Sequence, residues 1–158
     1  MEKHIHVKGI KYNLVLKKGK KESIVIKDND FIITSSKVDL CSYRTLLRRY
    51  YKRIVEEEIT RLIYDAEFDF KEVNFPKIKV LYTVNRYGQY NKIKNEIQIS
   101  SIMAKFDLKY IKVVLYHELA HTHYMNHKQD FLDVMESKYP GSVDLDGEFK
   151  DFRYQDYL

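Results

Sequence analysis

Tryptophan is absent from this chain, cysteine occurs once, proline twice and glycine five times in 158 residues. A single cysteine, Cys41, excludes an intrachain disulfide and with it the stapled folds of small secreted domains. Nothing around Cys41 suits a nucleophile, so it is expected to be a half-buried, inert thiol. The scarcity of glycine and proline excludes collagen-like and low-complexity architectures, and no internal repeat is visible. No apolar run approaches the roughly 20 residues that a membrane-crossing helix needs. Residues 1–10 carry two lysines and two histidines and lack the apolar centre of a signal peptide. The protein is therefore expected to be soluble and cytoplasmic, with no membrane partner.

What is present describes an ordinary folded domain. Apolar residues make up 44% of the chain, enough for one core at this length, so residues 1–158 are expected to form a single domain. Lysine and arginine total 28 against 23 acidic residues, a net charge of +5. The basic residues cluster at Lys17-Lys18, Lys20-Lys21, Arg48-Arg49 and Lys52-Arg53. Glu56, Glu57 and Glu58 follow closely, and the C-terminal stretch is acidic. Solvated faces explain such mixed runs more simply than nucleic-acid binding, which stays as the second partner class.

Residues 1–40 read as β-strands forming a small antiparallel sheet. Tyr12–Leu16 and Ser23–Ile26 flank a lysine-rich turn pivoting on Gly19, a hairpin signal, and Asp28-Asn29-Asp30 marks a second turn. Residues 42–66 read as a long helix with Tyr43, Leu46, Leu47, Tyr50, Ile54, Leu62 and Ile63 on its apolar stripe. Residues 77–139 form the core around the chemistry. Ile78–Val84 alternates as a strand, residues 85–95 read as a loop, and Glu96–Ser100 is a second strand. A helix follows, capped by Asp107 and carrying Leu108, Ile111, Val114 and Leu115 at helical spacing. Asn126, tolerant of left-handed backbone, marks a bend. A second helix over residues 128–139 ends at Pro140-Gly141. Residues 144–158 read as an acidic, aromatic tail.

The chemistry sits in His117-Glu118-Leu119-Ala120-His121. Histidines four apart share one helix face, so both imidazoles reach one metal ion, and Glu118 lies close to that face. His127, brought back by the bend, completes a three-nitrogen site with one position open, which suits a catalytic zinc better than a structural one. Three imidazoles favour Zn²⁺, one per chain. Glu118 is the general base for attack on an amide carbonyl. Tyr87, Tyr90 and Tyr154 are the candidates for a second donor to the oxyanion. His123 is expected to point away from the metal. His4 and His6, lacking a third partner, are expected on an exposed strand face.

The run Val113–Phe131 resembles the metal-binding helix of the YgjP-like (WLM-related) zinc metallopeptidases. There, too, H-E-L-x-H is followed after five residues by a histidine inside a Met-Asn-His triplet, here Met125-Asn126-His127, with Phe131 four residues on. The resemblance reaches back to Ile78, through Arg86-Tyr87-Gly88 and the strand Ile97-Gln98-Ile99, and the N-terminal part agrees in outline. It departs at Tyr87, where the family has tryptophan, at Gln89-Tyr90-Asn91, in place of Ser-Cys-Ser, and at Leu132, in place of an aromatic. It implies an α+β, zincin-like fold of gluzincin or SprT-like architecture, a small antiparallel sheet packed on a long helix and an active-site helix.

It also implies a zinc peptidase acting on a peptide or protein. Tyr87, Gly88, Ile97 and Ile99 are the expected substrate-binding residues, with strand 96–100 as the sheet edge that an extended peptide pairs with. The alternative is a non-catalytic nucleic-acid- or protein-binding domain with a structural or vestigial zinc.

Overall fold

The computed structural model describes residues 3–150 and 154–158. Residues 1–2 and, from the expected tail, 151–153 lie outside the described residues. The architecture is mixed α+β, with two small sheets and four α-helices.

Four strands form the first sheet: β1 (His4–Val7), β2 (Ile10–Lys18), β3 (Ser23–Lys27) and β4 (Asp30–Ser35). β1 and β2 are joined by Lys8-Gly9, both at positive φ, as a two-residue hairpin turn with a primed twist requires. The order is β1–β2–β4–β3, with β2 and β4 parallel. The expected pairing of β2 with β3 and the all-antiparallel sheet are thus both corrected: β4 lies between them. The reason is burial. β4 has Phe31 and Ile33 fully inside the core, whereas Val25 and Ile26 of β3 are 50% and 40% exposed. The strand with the apolar face takes the centre, and the lysine-rich turn sets only the chain reversal. Gly19 serves a different purpose from a hairpin pivot: a Cβ there would lie 2.7 Å from Thr34 Cγ2. The turn at Asp28 is as expected, with Asp28 at φ 55°.

Helix α1 (Leu40–Asp69) is the spine. Asp39 starts it, its carboxylate accepting from the Ser42 N–H at 2.8 Å and the Ser42 hydroxyl at 2.9 Å. The buried stripe is Tyr43, Leu47, Tyr51, Val55 and Ile59, with Ala66 further on. Ile54 is buried with them, and Leu46, Tyr50 and Leu62 pack half-buried against the core, so of the expected stripe only Ile63 falls outside it. Cys41 is exposed in the first turn rather than half-buried. α1 packs on β3 and β4 of the first sheet, on β5 of the second, and on α2.

The second sheet has β5 (Lys77–Leu81), β6 (Gly88–Asn91) and β7 (Glu96–Ser100) in the order β5–β7–β6. β6 lies inside the expected loop 85–95 and pairs antiparallel with β7. A 3-10 turn (Ser101–Lys105) leads to α2 (Lys109–Ala120), then α3 (Gln129–Lys138) and α4 (Ser142–Lys150). Asp107 accepts from the Lys109 N–H at 3.0 Å, one residue before the position that starts the helix. α4 was not foreseen, and it packs on α2 and α3.

The C-terminal stretch is tied back to β1. Asp156, fully buried, accepts from His6 at its N–H (3.0 Å) and at Nδ1 (2.6 Å), and it faces Lys105 Nζ at 3.5 Å. His4 Nε2 is 3.8 Å away. His4 and His6 are therefore part-buried around a third partner, not exposed on a strand face. Tyr157 N–H adds a bond to the His4 carbonyl at 3.1 Å. Among the described residues, no helix is long and apolar enough to cross a membrane.

Tyr51, 2% exposed, donates its hydroxyl to the His6 carbonyl at 2.7 Å and so links α1 to β1. Tyr51→Phe is expected to cost about 1–2 kcal/mol by leaving that carbonyl unpaired. The urea midpoint should fall with an unchanged slope.

Candidate metal centre

α2 carries His117 and Glu118 and stops at Ala120, with His121 as its C-cap. The chain then turns through residues 122–126 and enters α3. The expected left-handed Asn126 is corrected. Among the described non-glycine residues only Lys8, Asp28 and Asn95 have positive φ. The reversal comes instead from stacked turn bonds, Thr122 N–H to Leu119, His123 N–H to Ala120 and Tyr124 N–H to Ala120, with the Asn126 side chain accepting from the Lys128 N–H at 3.1 Å.

The turn brings His127 over the helix face. His127 Nε2 lies 3.1 Å from His117 Nε2 and 3.1 Å from His121 Nε2. Phe131, fully buried at the start of α3, sits under the cluster with its ring 4.7 to 5.0 Å from all three imidazoles. Each ring on α2 has its other nitrogen engaged. His117 Nδ1 is 3.2 Å from Asp146 on α4, and His121 Nδ1–H donates to the Tyr124 carbonyl at 3.0 Å. With Nδ1 as the donor, the Nε2 lone pairs face inward. Inward lone pairs repel one another unless a cation lies between them. Nitrogens about 2.0–2.1 Å from a tetrahedral ion stand about 3.3 Å apart, so the donor set fits a zinc-sized ion. Asp146 takes the part of the carboxylate that orients a metal-binding histidine.

The cleft at this centre is about 350 Å³ and is bordered by Val84, Arg86, Gly88, Glu118, Asp146 and Phe149 besides the histidines. Glu118 is 5% exposed, and burial, the largest effect, pushes its pKa up to about 7. Asp146 acts in the same direction, and the charges of His117 and Arg86 act against it. Burial also holds His121 below the ordinary histidine range.

Gly88 explains how Glu118 fits. A Cβ at Gly88 would lie 2.7 Å from Val114 Cγ1 and 3.0 Å from Glu118 Cγ. β6 thus runs so close to α2 that only glycine leaves the carboxylate its place. Tyr87 also borders the cleft, its ring packed 4.7 Å from Phe149. The other expected substrate residues are elsewhere. Ile97 and Ile99 are fully buried, and β7 is the central strand of its sheet, not the edge. The edge beside the cleft is β6. Tyr90 bonds Asn95 at 2.9 Å, and Tyr154 stacks on His6 at 3.8 Å, so neither borders the cleft. His123 points away, to Glu72 at 2.9 Å.

Arg86, Asp146 and Phe149 were missed. The sequence has no spacing rule that would bring α4 against α2. Arg86 stood in a recognised segment, but only Tyr87 and Gly88 were singled out there. A second histidine-carboxylate group, His4, His6 and Asp156, has its ligand atoms within the same 4.8 Å limit as the three cleft histidines. Its carboxylate is already satisfied by His6 and Lys105, and an ion there would have to displace that lysine.

Three outcomes are expected. Asp146→Ala should weaken zinc binding about 10–100-fold in a chelator competition. Gly88→Ala should cost about 1–3 kcal/mol in urea unfolding through overpacking while leaving zinc affinity intact. Zinc affinity should be constant at about pH 8 and fall towards about pH 5, because each imidazole must be neutral to bind.

No curated protein matches the chain. The description that does match is "YgjP-like, metallopeptidase domain", over residues 1–152. That span includes β6, His117, His121, His127 and all of α4. The chain belongs to the YgjP-like metallopeptidase family.

Proposed function

We propose that this protein is a zinc-dependent peptidase, with His117, His121 and His127 holding one zinc ion and Glu118 acting as general base. The observation that carries this reading is the buried Glu118 carboxylate, which borders the same cleft as three Nε2 atoms, that of His127 lying 3.1 Å from each of the other two. Family membership supports the amide-hydrolysing chemistry and a peptide or protein substrate. A structural zinc site usually closes with four ligands, many of them cysteine, whereas three histidines leave a position open to the cleft.

A bound zinc ion supplies Lewis acidity and acidifies a water. Glu118 takes the proton of the attacking water and returns it to the leaving nitrogen. Its raised pKa, about 7, puts proton uptake and release near neutral pH, and the positive charge of a bound ion acts against that rise. His117 and His121 keep their Nε2 atoms inward through Asp146 and the Tyr124 carbonyl. Arg86 is the cationic group beside Glu118 and the donor best suited to a developing oxyanion.

The substrate lies along β6, which among the described residues pairs with β7 alone. Its free edge offers main-chain groups to an extended peptide. Gly88 and Tyr87 form this wall, the first by giving Glu118 room and the second by packing under the strand.

The test pairs metal analysis with peptide cleavage. Purified protein should hold about one zinc per chain, and His121→Ala should lose it. Wild-type protein should cut members of a random peptide mixture, scored by mass spectrometry, and Glu118→Gln should cut none while keeping its zinc. Protein that takes up no zinc, or equal cleavage by Glu118→Gln, would sink the proposal.

A further inference from the structure

A second depression adjoins the histidine cleft. Val84 and Tyr87 border both, and Val84, 63% exposed, stands on the rim they share. This pocket, about 230 Å³, is bordered by Arg44, Arg48 and Lys105 and by the rings of Tyr51, Tyr82 and Tyr154. Leu158 also borders it, and among the described residues no Asp or Glu side chain does.

Arg44 and Arg48 stand four residues apart on one face of α1, on either side of Leu47. On the same helix Arg53 lies 4.0 Å from Glu57 and Arg61 lies 3.1 Å from Glu58. Among the described residues, neither Arg44 nor Arg48 has a carboxylate within ion-pair distance. The Arg48 guanidinium carbon lies over the Tyr82 ring, 3.9 Å from its centre. That cation–π contact restrains the guanidinium, whose N–H fork suits a planar oxygen acceptor. Lys105 is partly neutralised by Asp156 at 3.5 Å. Among the described residues the pocket therefore has two arginine forks with no Asp or Glu partner and aromatic walls, an arrangement complementary to a carboxylate attached to an apolar or aromatic group.

We propose that this pocket is the subsite for a carboxylate-bearing part of the peptide substrate, an acidic side chain or a free C-terminus, whose scissile amide lies in the histidine cleft. The inference rests on the peptidase reading and names the substrate class for it.

The test has two arms. In the first, ligand-observed NMR measures binding of hippurate, an aromatic amide with one carboxylate, and of its neutral amide, hippuramide, to the zinc-loaded protein. Hippurate should bind, hippuramide should bind about tenfold more weakly, and Arg44→Gln/Arg48→Gln should lose about tenfold in hippurate affinity while keeping its zinc. The proposal is overturned if no hippurate binds at about 10 mM, if both probes bind alike, or if the double variant binds like wild type. It is also overturned if a single-stranded oligonucleotide displaces hippurate, which would make the pocket part of a nucleic-acid surface.

In the second arm, cleaved peptides are compared in pairs: Glu against Gln, and free against amidated C-terminus. A preference for Glu identifies an acidic side chain as the source, and a preference for the free terminus identifies the end of the chain. Either preference should collapse in the double variant, and a preference that survives overturns the assignment. If no peptide is cut, the peptidase reading fails, and the first arm still decides whether the pocket holds a carboxylate.

Discussion

Three imidazole nitrogens within 4.8 Å of one another, with His127 Nε2 3.1 Å from each of the other two, is an arrangement that lone-pair repulsion resists without a cation, and much of the C-terminal half is organised around imposing it. α2 must end at Ala120 so that His121 can lie at its cap. The turn must close tightly enough to return His127 within six residues. Phe131 must fill the space beneath, because a gap there would let the rings collapse. α4 must then bring Asp146 to the far side of His117. Each requirement limits the next, so the centre depends on the relative placement of three helices and not on a single motif.

The remaining wall comes from the sheet. β6 approaches α2 closely enough that Gly88 has no space for a Cβ, and this places a carboxylate in a nearly dry position beside the histidines. Burial is what raises its proton affinity. One close contact between a strand and a helix thereby sets both the shape of the cleft and the acid–base character of its floor. Arg86, one turn of chain away, adds the compensating charge.

What the sequence disclosed follows from how local each feature is. The long helix, the helix bearing His117 and His121, and the helix after the bend follow from periodicity, because a helix answers to neighbours three and four residues away. The family resemblance extended this to Met125-Asn126-His127 and Phe131. The failures were non-local. β4 displaced β3 from β2 because strand order is decided by which face is buried, and turn residues do not report that. β6 was hidden in a polar loop because its pairing with β7 satisfies main-chain groups without an apolar pattern. β7 read as an edge although it is central, since alternation alone does not say how many partners a strand has. α4 read as a tail because Asp144, Asp146 and Glu148 mask a helix whose apolar contacts, Leu145 and Phe149, are few. Those unread elements contribute Asp146 and the edge of the cleft, so the three convergent histidines were legible and much of their surroundings was not.

The bond between His6 and Asp156 joins positions 150 residues apart. Contacts of such long sequence separation form late, after the loops between them have closed. A nascent chain that has emerged only as far as Phe131 already carries Glu118 and all three histidines. It has neither the partner of His117 on α4 nor the clamp that ties the end of the chain to β1. Completion of the cleft is thus coupled to the arrival of α4, and a partly synthesised chain holds the three histidines without the scaffold that orients them.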